Sequence, residues 1–165
     1  VRAGNRDIPV QQHVMHGVNE LRGNLEVLSD LLRAKEDITG ASLLPEIHAK
    51  DAALKDKFYP DGWKFHDKSK NADAVIEFGK EKWVADFKRL EGNGKHFSPH
   101  LEKASQQADY AIVKLSGQTD TETLGKLKGK ANFKLENTDL KGIIIFDNEG
   151  NMVYERYKIQ PPVKK

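Results

Sequence analysis

Cysteine is absent from all 165 residues. That excludes a disulfide framework and any thiolate-held zinc site. No apolar run approaches the roughly 20 residues that cross a bilayer as a helix, so no stable membrane insertion is expected. Strong net charge is lacking too: 27 basic residues against 25 acidic ones leave a formal +2. Without a global basic field, any affinity for nucleic acid has to come from a local patch. There is no internal repeat and no low-complexity segment.

What is present is 38% hydrophobic and 32% charged residues, enough for one core beneath a heavily charged surface. The length fits one compact domain, read as an N-terminal helical segment over 1–60 and a core over 61–165. The first residue is Val1 rather than Met, and an excised C-terminal part of a larger protein is expected.

The strongest periodic signal is Val14, Val18, Leu21, Leu25, Leu28 and Leu32, one face of a helix. Gly17 and Gly23 interrupt it, and a bend or break is expected there. "EDITGAS" ends the helix. "LPEIHAKDAALKDKF" reads as a short helix or an ordered loop, closed by the turn "YPDG" at 59–62. "WKFH" is a short strand and "KSKN" a turn. "ADAVIEF" and "KWVADFK" alternate as strands joined by Gly79 and Lys80. Ser98 and Pro99 predict the cap and first position of a helix to about Ala108. "DYAIVKL" is a buried strand, Thr119 and Glu122 a capping box for a helix to about 130, and "GIIIFDNEGNMVYERY" a terminal hairpin. His13 and His16 flank the first helix as surface residues, and "QPPVKK" is a tail. The fold class expected is mixed α+β: N-terminal helices, then a central twisted, mostly antiparallel sheet with helices packed on it.

The hairpin carries the chemistry. Trp83, Ala85 and Phe87 share one face, and Val84, Asp86 and Lys88 the other. A two-residue loop pairs Phe78 with Glu81 and Ile76 with Trp83, and sets Asp73 opposite Asp86. A loop two residues longer sets Asp73 opposite Lys88. Either register gathers Asp73, Asp86 and Lys88 on one face, with paired β-carbons about 5 Å apart. Two carboxylates that close repel unless a proton or cation lies between them. Oxygen ligands suit magnesium or manganese, with Lys88 left to orient a water or stabilise phosphoryl charge. The plainer reading is a solvated Asp86–Lys88 pair.

The following loop, "KRLEGNGKHFSPH", adds Arg89, Lys95, His96, Ser98 and His100 as candidate phosphate contacts. Gly92 and Gly94 would let a backbone approach a ligand, and the helix opened by Ser98 would favour an anion at its N-terminus. His96 is a candidate general acid or base. His96 and His100 are four apart, but His96 precedes the helix, so the spacing does not argue for zinc. The plainer reading is an exposed loop with two ordinary histidines.

The run "NADAVIEFGKEKWVADFKR", the Gly/Lys loop and "HLEKASQQADYAIVKL", preceded by a helix, together resemble the C-terminal nuclease domains of bacterial contact-dependent growth inhibition (CdiA-type) and related polymorphic toxins. The likeness spans about residues 70–115. It implies a toxin nuclease cleaving RNA, tRNA above all, and neutralised by a cognate immunity protein. It also implies secretion or cell-surface delivery as the C-terminal part of a larger protein, with action in the target-cell cytoplasm.

Two mechanisms follow from the resemblance. One group is similar to the PD-(D/E)XK nucleases, in which Asp73 and Asp86 would hold Mg2+ or Mn2+ beside Lys88, with Glu20 or Glu26 as a helix acid. Here "AD" replaces "PD". The other group has the barnase/EndoU/colicin/RelE-type fold and needs no cofactor, with Lys88, Arg89, His96 and Ser98 as the acting side chains. The resemblance tilts toward the metal-free route, while the opposed aspartates favour a cation. A DNA nuclease of the same architecture and a noncatalytic binding module are the rival readings.

Overall fold

The computed structural model describes residues 2–3, 6–12, 18–47, 49–61, 63 and 70–158. Val14, Gly17, His13, His16, most of "WKFH", Lys68 and Ser69 of "KSKN", and the terminal tail lie outside the described residues. So do the side chains of Val18, Glu20 and Leu21.

Helix α1 runs unbroken over Val18–Ala34. Val27, Leu28, Leu31 and Leu32 are all fully buried, a two-residue-wide stripe repeated every turn. Leu25 is only partly buried, so the seam is rotated from the one the spacing predicts. Gly23 causes no break. The end of α1 is capped from a distance: Arg6 donates to Leu32 O in the last turn at 2.5 Å and to Glu36 O just beyond the helix at 2.6 Å, satisfying acceptors that a helix end leaves open. The polar N-terminal stretch is therefore tied down, and its strands β1 (Arg2–Ala3) and β2 (Arg6–Asp7) pair with each other.

The main sheet has seven strands: β3 (Val10–Gln12), β4 (Gly40–Leu43), β5 (Ala74–Phe78), β6 (Glu81–Glu91), β7 (Tyr110–Ser116), β8 (Gly142–Phe146) and β9 (Met152–Tyr157), lying side by side in that order. Pairs β4–β5, β5–β6 and β8–β9 are antiparallel, and β3–β4, β6–β7 and β7–β8 parallel. Helices α2 (Phe97–Ser105) and α3 (Thr121–Asn137) complete a mixed α+β fold. Alternation divides the sheet residues between two layers. Ile76, Trp83, Ala85, Phe87 and Ile112 join the α1 stripe, whereas Leu90, Val113, Leu115 and Ile145 join Leu101 of α2 and Leu127 of α3. Residues Ala49–Lys57 form a 3-10 segment leading to a third cluster of Leu44, Tyr59, Val75 and Val84.

Strand β4 departs from the sequence reading, which gives "EDITGAS" only as the end of the first helix and names no strand over Gly40–Leu43. Gly40-Ala41-Ser42 carries little β propensity, and the strand exists because it is held between β3 and β5. A Cβ at 40 would lie 2.7 Å from Glu77 Oε2, the movable end of that side chain, and 3.5 Å from Pro9 O. The caps differ as well. Residue His96, with φ 61, is the N-cap of α2, and Ser98 lies inside the first turn. Asp120, not Thr119, caps α3 by accepting from Thr123 N at 2.7 Å. Thr119 instead donates to Gly92 O at 2.9 Å.

One buried ion pair locks α1 to the sheet. Lys114 of β7 donates to Asp30 at 2.6 Å and lies 3.3 Å from Glu26, and Arg33 also contacts Asp30. Burial works to lower the Lys114 pKa, but its bonds to Asp30 and Glu26 outweigh that and raise it. Lys114→Ala should therefore cost about 3 kcal/mol in denaturant unfolding, the low end for a broken buried pair because Arg33 still faces Asp30. Replacing Asp30 and Lys114 together by Leu and Met should recover most of that loss.

Candidate active site

Strand β6 is divided between two neighbours. Glu81–Ala85 pair with β5, and Ala85–Glu91 with β7. The two-residue loop at Gly79, which has φ +64, sets the register Phe78↔Glu81 and Ile76↔Trp83, the shorter of the two expected. Past Ala85 the partner strand has ended, so one edge of β6 is open from Asp86 onward. A cleft of about 360 Å3 occupies that opening.

Asp73 sits just before β5. Its N–H donates to Ala85 O at 3.1 Å, and its carboxylate accepts from Phe87 N–H at 2.7 Å. The side chain thereby stands in for the strand carbonyl that β5 no longer supplies. Asp86 is 1% exposed. Its Oδ2 accepts no well-formed hydrogen bond among the described residues and has Lys88 Nζ at 3.0 Å as counter-charge. Gln107, with its amide nitrogen turned to its two acceptors, donates to Asn71 O at 2.8 Å and Asp86 Oδ1 at 3.2 Å.

The pair is electrostatically strained. Burial, then the Asp86 charge and a hydrogen bond between the two carboxyls, push Asp73 well above its ordinary range, against the lowering effects of Phe87 N–H and Lys88. Two acids and one lysine share an enclosed site. Tyr59 nearby is pushed up to about 12, mainly by burial and further by Asp73 and Asp86. Paired hard oxygens with surplus negative charge fit a divalent cation such as magnesium or manganese.

Of the side chains nominated from sequence, Asp73, Asp86, Lys88 and Arg89 all line the cleft. The loop residues do not. His96 and Lys95 are exposed, and Lys95 N–H bonds to Asn93 Oδ1 at 2.9 Å. His100 is half-buried with Nδ1 enclosed and unpartnered among the described residues. Desolvation first, then Lys88, Lys103 and His96, lower its pKa against a raising effect of Asp86, which keeps it neutral near pH 7. The loop glycines face the chain itself: a Cβ on Gly92 would meet Gln118 O at 2.6 Å, and one on Gly94 would meet Leu127 Cδ2 at 2.5 Å. Glu26 turns to Lys114 and, at 3.9 Å, Arg89, and α1 gives Gly23 and Asn24 to the cleft instead. Among the described residues no three acidic or histidine side chains converge as a ligand set. Gln107, Asn24 and Glu46 line the cleft without having been singled out. Only Gly23-Asn24, two poor helix formers in mid-helix, left a trace in the sequence.

The raised Asp73 pKa fixes a sign. The unfolded chain releases this proton near pH 3.8, the folded chain only well above it. Between the two values the folded state binds more protons, so this group's contribution to stability falls as pH rises. Asp73→Asn keeps an oxygen for Phe87 N–H and removes the charge. In metal-free buffer its thermal midpoint should exceed that of the wild type at pH 7.5, and the gap should close toward pH 4. A less stable Asn variant at pH 7.5 would contradict the carboxylate repulsion.

No family model, no curated protein and no solved structure matches the chain.

Proposed function

We propose that the chain is a nuclease that hydrolyses phosphodiester bonds in the cleft at the open edge of β6. The observation that carries this reading is the buried Asp73–Asp86 pair with Lys88 Nζ 3.0 Å from Asp86. Asp73 and Asp86 would hold the cation. When bound, magnesium or manganese would supply a Lewis acid for a phosphoryl oxygen and neutralise the two acids.

The protein's own part is positioning and charge. Asp73 is oriented by Phe87 N–H, and Asp86 by Gln107. The Lys88 side chain is 16% exposed and emerges from the sheet beside the pair. There it meets the negative charge that builds on the equatorial oxygens of a phosphate under attack. Arg89, 52% exposed, is placed for a neighbouring phosphate. What supports the cation-assisted route over acid–base catalysis is that His96 is exposed and lies off the cleft lining.

RNA, with tRNA foremost, is the proposed substrate, drawn from the resemblance of residues 70–115 to toxin nucleases. That resemblance also suggests delivery into a target-cell cytoplasm and a neutralising immunity protein. A DNA nuclease of the same chemistry is the second reading.

Incubating the purified chain with tRNA and with plasmid DNA tests the reading. Cleavage should require magnesium or manganese, stop in chelator and return on adding metal back. Products should lack a cyclic phosphate. Lys88→Ala should fold normally and lose about 100- to 1,000-fold in rate, as expected for one electrostatic stabiliser. Cleavage of DNA alone would move the substrate to DNA. Failure to cut either, with growth unaffected on expression, would leave a binding module and overturn the nuclease reading.

A further inference from the structure

Gly23 and Asn24 stand side by side in the middle of α1, where both are poor helix formers. Both are buried, and both line the cleft. Gly23 has a visible partner: a Cβ there would lie 3.2 Å from Arg89 Cδ and closer still to its guanidinium. The Arg89 side chain thus crosses α1 through the space that glycine leaves. Its guanidinium is 3.9 Å from Glu26, too far for a hydrogen bond, so its donors are uncommitted on that side. Asn24 is 9% exposed and lines the cleft, and its amide is not among the enclosed side-chain atoms that lack a partner, so it can turn a donor toward a ligand there.

We infer that Gly23, Asn24 and Arg89 form a second phosphate subsite, which holds the phosphate adjoining the scissile one. The proposal takes its ligand, a polynucleotide, from the nuclease reading above. Arg89 supplies a planar fork of N–H donors that matches phosphate oxygens. The Asn24 amide adds a donor from the helix wall. Gly23 is a positioning residue: it touches no ligand and acts by letting Arg89 lie where it does. The subsite also gives the cleft opposite signs on its two sides, cationic at Arg89 and anionic at Asp73 and Asp86, which orients a phosphate chain along it.

Binding can be read without cleavage. Fluorescence anisotropy of a short fluorescein-labelled single-stranded RNA, and of the matching DNA, in chelator over a salt series gives affinity and its salt slope. Arg89→Ala should weaken binding roughly tenfold and reduce the log–log salt slope by about 1, the mark of one lost phosphate contact. Asn24→Ala should weaken it severalfold. Gly23→Ala should match Arg89→Ala in weakening while melting no lower than the wild type, because alanine favours the helix. In an Arg89→Ala background, Gly23→Ala should then change affinity by less than about twofold, since the two act as one unit. Arg89→Ala binding as tightly as the wild type with the same slope would overturn the subsite, and so would a Gly23→Ala penalty that persists without Arg89. A wild type that cuts with magnesium while Arg89→Ala binds normally removes the subsite and keeps the nuclease. The expected binding pattern in a protein that never cuts keeps the subsite and removes the nuclease.

Discussion

The hydrogen bond from Phe87 N–H to the Asp73 carboxylate is the point on which fold and site both turn. Strand β6 is eleven residues long, and β5 only five. Somewhere along β6 a buried edge must go without a strand partner. A buried N–H left unmade costs about 1–3 kcal/mol, and Phe87 is 7% exposed. The Asp73 side chain fills the gap at 2.7 Å. Sheet completion thus forces a carboxylate into the enclosed corner where Asp86 already stands. One interaction stabilises the sheet and creates the repulsion that a cation or a proton must relieve.

The molecule contains its own control for that argument. On the α1 side of the sheet, Asp30 and Glu26 meet Lys114, Arg33 and, at 3.9 Å, Arg89, so the acids are fully matched by bases. Their closest contact with Lys114 is 2.6 Å, and the lysine stays charged. In the cleft, Asp73 and Asp86 meet Lys88, two acids and one base with a sum of minus one. Asp30 and Lys114 are enclosed, but Glu26 and Arg33 are about half exposed, whereas burial is the largest influence on Asp73 and the Asp86 charge the next. Enclosure and unbalanced charge together set the cleft apart. A buried charge without a counterpart is corrected by protonation or by an ion, and the Asp73 pKa moves in the direction that says so.

The central hairpin was legible because its period is two and its loop has two residues. Those facts alone fix which side chains share a face and which lie opposite. They bring Asp73, Asp86 and Lys88 together without any knowledge of the remaining sheet. What stayed hidden depended on distant partners. Gly40–Leu43 has no strand signal of its own and becomes β4 only between two others. Gly92 and Gly94 looked like room for a ligand, but Gln118 and Leu127 fill that room. Gln107 reaches Asp86 from the turn after α2, about twenty residues along the chain, and no local spacing announces such a contact. The histidine-bearing loop read as chemistry because its composition is suggestive, whereas its geometry turns His96 outward.

Helix α1 shows how a site residue escapes a pattern-based reading. Gly23 was a blemish in an apolar stripe, costing about 1 kcal/mol against alanine, and Asn24 adds up to about 0.7 kcal/mol. Four fully buried aliphatic side chains follow within two turns, each worth roughly 1.5–3 kcal/mol. The stripe outweighs the two poor formers severalfold, so α1 stays continuous through them. A helix held by tertiary packing can carry residues that its own propensity disfavours. Conflict between local preference and global structure collects where something other than stability has chosen the residue. In this helix that place is the wall of the cleft, across which Arg89 lies.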